Sequence, residues 1–316
     1  MVALISPQTL QKPISLIEAP TNLGLRPPAP GIEPGAWEGP RALMSAGLGS
    51  LSPTAMRLTV PRLRYRADPP PFSMLRNAYA IHAFSQDLAT QIGEVWASDG
   101  FPLVIGGDCS VLLGSLLAAR RTGRHGLLHL DGHSDFFHPG NYDAKSRPGA
   151  VAGMDLALVV GLGESILTVW DGSDRPLVDP HDVIQIGDRD VFDRDYPFGD
   201  AVERGISQID IFRVQELGIA RTWRLTETIL NQRELETFWL HLDLDVLDQR
   251  VMPAVDSPGS PGLDFDQLAE FLRLIQASRR CIGADVTIYD PTLDPDGCYA
   301  RAIVDCLREG FGTPLV

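Results

Sequence analysis

Short apolar runs alternate with amphipathic stretches along most of the chain. Residues 76–97 place Ala80, Ile81, Phe84, Leu88, Ile92, Val95 and Trp96 at helical spacing. After them the pattern predicts strands over 101–105, 126–130, 183–186, 240–246 and 281–289. Helices are predicted over 111–119, 153–160, 234–239, 264–278 and 300–311, with Asp264 placed to cap its helix. The opening quarter reads differently, because thirteen of the 25 prolines fall in the first 71 residues. It still predicts a strand over 14–17, a helix starting at Gly39-Pro40-Arg41, and a second strand over 58–65 that Asp68-Pro69-Pro70-Pro71 breaks.

Short apolar strands separated by helices are the mark of a mostly parallel sheet covered on both faces. The expectation is an α/β fold, one three-layer α-β-α domain spanning 1–316 with an irregular, proline-rich part over about 1–73. No internal repeat or linker argues for a division. A formal charge of −14 is a poor match to nucleic acid or anionic membranes, so neither is an expected partner. No apolar run is long enough to span a bilayer. The first residues lack a basic segment, so no signal peptide is expected. Four cysteines without a CxxC pair suit a reducing, cytoplasmic setting.

Three predicted strand ends carry chemistry. They are Gly106-Gly107-Asp108-Cys109-Ser110, the stretch His129 to Asp135 (HLDGHSD), and the stretch His241 to Asp248 (HLDLDVLD). Ligands of open parallel sheets bind outside such ends. Side chains two apart share a face of an extended chain. His129, Asp131, His133 and Asp135 would therefore point one way, as would His241, Asp243 and Asp245. If the two faces converge, four carboxylates and an imidazole crowd a small volume. Each like pair near ~4 Å costs about 4 kcal/mol at an effective dielectric near 20. One or two divalent cations remove that cost. The donor set suits Mn(II) or a similar hard to borderline ion, and a bridging carboxylate suits a two-metal hydrolase.

This combination resembles the ureohydrolase family of arginases, agmatinases, guanidinobutyrases and formimidoylglutamases over nearly the whole chain. Residues 35–48 are similar to the family's GPxxLRxAGL region, 106–110 to its GGDHS box, 131–135 to DAHxD, 186–191 to the next strand end, and 243–248 to DxDxxDP. The resemblance implies an arginase-like fold and a binuclear Mn(II) site. Cys109 would replace the histidine that binds one metal. Asp131 and Asp243 would bridge both ions, Asp135 would complete the first set, and His133 and Asp245 the second. A metal-bridging hydroxide would attack a guanidinium or amidine carbon, and Asp135 would help protonate the leaving amine. Trimers or hexamers are also implied.

The chain departs from the family pattern at several positions. A thiolate at Cys109 opens the site to Zn, Fe or Ni. The family's guanidinium-reading glutamate falls on Ile288, with Asp285 the favoured substrate-side acid and Thr287 or Asp290 as alternatives. Arginases read the α-carboxylate with an asparagine where Phe137 stands, and their proton-shuttle histidine falls on Ala152. His138 and Asn141 are candidates for those polar duties. His129 and His241 support the metal carboxylates from behind or are satisfied core histidines. The expected activity is metal-dependent hydrolysis of a C–N bond in a small guanidino, amidino or formimino compound. The alternative is a ureohydrolase-like protein that binds metal or ligand without turnover.

Overall fold

Parallel strands need crossovers, and here helices supply most of them. The computed structural model describes residues 12–51, 56–143, 148–193 and 198–312. The strands are β1 (Ile14–Ala19), β2 (Arg57–Thr59), β3 (Phe101–Gly106), β4 (Gly126–Leu130), β5 (Val183–Ile186), β6 (Ser207–Ile209), β7 (Phe238–Asp243) and β8 (Cys281–Thr287). They form one eight-stranded sheet in the order β2-β1-β3-β8-β7-β4-β5-β6. Every pairing between these strands is parallel.

Alternation along the central strands builds two cores. Leu128, Leu130, Leu240, Leu242, Ala284 and Val286 face one layer, which holds the helices Phe265–Ser278 and Cys298–Phe311. Leu127, Val183 and Trp239 face the other, with the helices Ala78–Ala97 and Val111–Thr122. Asp264 and Gln267 form the reciprocal cap that starts the helix Phe265–Ser278. No helix among the described residues is long and apolar enough to cross a membrane.

Several elements differ from the sequence reading. The strand expected over 58–65 is only Arg57–Thr59, because Pro61 has no amide to continue the ladder beyond Val60. The expected helix over 234–239 is a turn with Glu234 at φ 54, and β7 begins at Phe238. The helix of that region is Ile219–Gln232, preceded by Ile211–Leu217 and β6, none of which was predicted. β7 stops at Asp243, and Leu244–Val246 is a 3-10 turn. β4 likewise stops at Leu130, so residues 131–135 are not extended.

Candidate metal centre

The site forms where β3, β8, β7 and β4 end side by side. Gly107 lets the first of these ends close. A Cβ there would stand 1.7 Å from the Thr21 carbonyl oxygen, so only glycine permits this approach. The Gly107 amide donates to Ala19 O at 3.1 Å and its carbonyl accepts from Ile288 N at 2.6 Å, tying the loop between β1 and β8. Cys109 is thereby delivered to the inside, 1% exposed, at the start of the helix Val111–Thr122.

The two acidic stretches converge through turns rather than through continued strands. Asp131 Oδ1 accepts from the His133 amide at 2.7 Å, and Asp243 Oδ1 accepts from the Asp245 amide at 2.7 Å. Each bond holds one carboxylate oxygen and leaves Oδ2 directed inward. Oδ2 of Asp131 is buried without a hydrogen-bond partner among the described residues, while Oδ2 of Asp243 accepts from the Cys109 thiol at 2.7 Å. Asp245 links the two turns: its Oδ1 accepts from Gly132 N at 3.0 Å and its Oδ2 lies 2.8 Å from His133 Nδ1. Asp135, at φ 44, turns its chain out of the strand direction.

These turns gather ligand atoms. Asp131, His133 and Asp245 bring theirs within 4.8 Å of one another, as do Cys109, Asp135 and Asp155, and also His129, Asp131 and Asp135. Burial and the Asp245 charge push Asp131 up to about 7. Burial and neighbouring carboxylates likewise push Asp135 and Asp243 well above the usual carboxylate range. The Cys109 thiol is raised for the same reasons. Burial alone would lower His133, but Asp245 pushes it up to about 9, and His133 in return holds Asp245 down against its own burial. Divalent cations would replace these proton-sharing contacts by stronger ones, and a coordinated thiol is deprotonated. The orphaned Asp131 oxygen and the donor set therefore fit bound metal.

Similarity to known proteins agrees with this geometry. The profile of the arginase family matches residues 14–312. The arginase of Bacillus caldovelox is 30% identical over 320 residues, covering 96% of this chain and all of that protein. The chain belongs to the arginase family. The crystal structure of Bacillus caldovelox arginase is similar at a TM-score of 0.81 and 28% identity, covering 96% of this chain and 100% of that one. The formimidoylglutamase of Bacillus subtilis subsp. subtilis str. 168 shares the fold, at a TM-score of 0.73 and 18% identity over 95% of this chain and 86% of that one.

Of the other expected site residues of this arginase-family chain, Thr287 borders the cluster and the rest lie elsewhere. Asp285 is fully buried beneath the acidic cluster: Oδ2 accepts from Trp239 Nε1 at 2.5 Å and Oδ1 bonds His241 Nδ1. His138 is a buried loop staple, with Nε2 2.6 Å from Asp200 Oδ2 and Nδ1 accepting from Gly140 N at 3.0 Å. Asn141 donates to Phe136 O and Asp200 in the same loop. Asp290 caps the turn Pro291–Leu293 and accepts from Gly35 N. Thr287 touches Cys109 Sγ at 3.3 Å. Ile288 is buried at φ 76, a conformation costly for a β-branched residue. The stretches 136–150 and 196–204, expected to border the mouth, lie partly outside the described residues, since 144–147 and 196–197 are not described.

Two residues were missed. Asp155, at the start of the short helix Asp155–Val159, is fully buried over His129 and His241. Arg189 lies across Gly132 and Gly259 and bonds the carbonyls of Pro261 and Asp245, fixing the turn that carries Asp245. The stretch IGDRDV marked the region of Arg189. Asp155 carried no such mark, because an acid in a helix's first turn needs no partner beyond the helix dipole.

Proposed function

We propose that this chain is a binuclear metal-dependent hydrolase that cleaves a C–N bond in a small guanidino, amidino or formimino compound. The observation that carries the reading is the convergence of the Asp131 and Asp243 turns on Cys109, Asp135, His133 and Asp245. In this reading Asp131 and Asp243 would be shared by two cations, with Cys109 and Asp135 holding one and His133 and Asp245 the other. Two such cations, Mn(II) first and Zn, Fe or Ni by virtue of Cys109, would supply water activated for attack near neutral pH. Asp135 would pass a proton released by the activated water to the leaving nitrogen. Asp245 and Arg189 keep the second set in register.

The substrate-reading side differs from arginase. Ile288 is apolar and buried where the family resemblance places a guanidinium-reading glutamate, and Ala152 stands at the shuttle histidine. Asp285 and His138 are already engaged by His241 and Asp200, so neither is assigned to the substrate. These replacements favour a compound other than arginine. They also sustain the second reading, a metal- or ligand-binding member of the family without turnover. We further infer one arginase-like domain in a cytoplasmic homo-oligomer, a trimer or hexamer.

The test is release of urea, ammonia or formamide from a panel of guanidino, amidino and formimino compounds, with protein reconstituted in Mn(II), Ni(II), Zn(II) or Fe(II). Turnover that disappears in Asp243→Asn supports the hydrolase. Absence of turnover with every compound and metal supports the binder.

A further inference from the structure

The sheet carries a second polar row beneath the metal cluster, one alternation deeper in the strands. Register places Asp285 on β8 beside His241 on β7, His241 beside His129 on β4, and His129 beside Gln185 on β5. All four are essentially without solvent exposure. The His129 and His241 rings stack with centroids 4.8 Å apart and planes 25° apart. Asp155 covers them from the helix layer.

Asp285 and Gln185, at the ends of the row, are spent on hydrogen bonds, but the middle of the row and its cover are not. Both nitrogens of His129, Nε2 of His241 and both carboxylate oxygens of Asp155 have no hydrogen-bond partner among the described residues. They face one another all the same. His129 Nε2 lies 3.6 Å from Asp155 Oδ1, and His241 Nε2 lies 3.7 Å from Asp155 Oδ2. These separations are too long for hydrogen bonds. They match the spacing of ligands around one ion, since tetrahedral donors at 2.0–2.1 Å from a metal stand about 3.4 Å apart. Asp285 holds His241 Nδ1, the orientation that presents Nε2 as a donor. A fourth donor is at hand, because Asp135 lies within reach of both Asp155 and His129.

We propose that His129, Asp155 and His241 form a further cation site, adjoining the pair held by the strand-end turns and within reach of their Asp135. Two imidazoles and one carboxylate select a borderline ion such as Zn(II), Ni(II), Co(II) or Fe(II) over Mg(II) or Ca(II). The assignment stands on the buried geometry and is independent of whether the chain turns over a substrate.

Zinc-loaded protein, freed of loosely held metal by a weak chelator, tests it by X-ray absorption together with metal analysis. His129, His133 and His241 should give three imidazole ligands per chain in the wild type, where the strand-end pair alone would give one. His129→Gln should lower the imidazole count by one, and Asp155→Asn should lower the metal content by about one equivalent. A wild-type count of one imidazole or none overturns the proposal, and so does a higher count that His129→Gln leaves unchanged. If either variant fails to fold, the wild-type spectrum alone decides. Two metals with one imidazole would remove this site and leave the hydrolase reading standing; a metal-free chain would remove both.

Discussion

Cys109 Sγ lies 2.7 Å from Asp243 Oδ2, with the thiol as donor and the carboxylate as acceptor. The pair joins the end of β3 to the end of β7 across β8, so two distant chain segments meet at one proton. A cation between them would displace that proton and turn a hydrogen bond into two metal–ligand bonds. If Cys109 is a ligand, as proposed, the identity of the residue at 109 would tune which metal is preferred.

Cys109→His should raise Mn(II) affinity about tenfold, or about 1.4 kcal/mol, and weaken the preference for Zn(II). Competitive titration with a fluorescent chelator measures both. Unchanged affinities would make Cys109 a core filler and not a ligand.

The metal-free protein should lose stability as pH rises from about 4 to about 7. Burial and the Asp245 charge push Asp131 up to about 7, and burial does the same for Asp188. In that window the native state holds protons that the unfolded chain, with carboxylates near 3.9, has already released. Stability then falls with pH until the native groups also ionise. Asp245 works in the opposite sense only below about pH 4. His129, lowered by burial to about 4, opposes the trend between about 4 and 6.5, but the raised carboxyls of Asp131, Asp155 and Asp188 outnumber it. Melting temperature across this window should decline in chelator-treated protein and decline less with saturating Mn(II). Equal slopes with and without metal would contradict the account.

Gly107→Ala should cost about 3 kcal/mol in chemical denaturation, because its Cβ meets backbone at 1.7 Å and cannot be accommodated by a side-chain shift. Gly93→Ala is the matched control. A Cβ added there, in the helix Ala78–Ala97, would meet nothing within 4 Å among the described residues beyond its own helix backbone, and the change should stabilise by about 0.5–1 kcal/mol.

Asp294→Ala should destabilise by about 2 kcal/mol. Its carboxylate accepts from Cys298 N and Ala300 N at 2.9 Å each and from the buried Tyr289 hydroxyl at 2.8 Å, anchoring the closing helix to the end of β8. Metal content should stay at the wild-type level, which separates a structural anchor from a ligand.

The strands β3, β4 and β5 were legible because buried parallel strands are unbroken apolar runs bounded by turn residues. The helix Ile219–Gln232 was not, since two of its buried positions are Thr222 and Thr226, which read as polar although their hydroxyls bond back to Gly218 and Thr222. At the site, spacing identified the acids but assumed extended chains. The turns at Asp131 and Asp243 bring the same side chains together by another route. Asp155 was beyond reach, because its role exists only once its helix lies over His129 and His241. For those two histidines the sequence left open support or satisfied core. The register that aligns them, and their unpartnered nitrogens, are properties of the assembled sheet.

The most direct test of the central claim is the equilibrium metal content of the purified chain and of Asp243→Asn after exposure to Mn(II) and removal of free ion. At least two equivalents are expected in the wild type and at least one fewer in the variant, with the variant still folded by circular dichroism. A folded wild-type chain that retains no metal, or an Asp243→Asn variant that retains as much as the wild type, would contradict it.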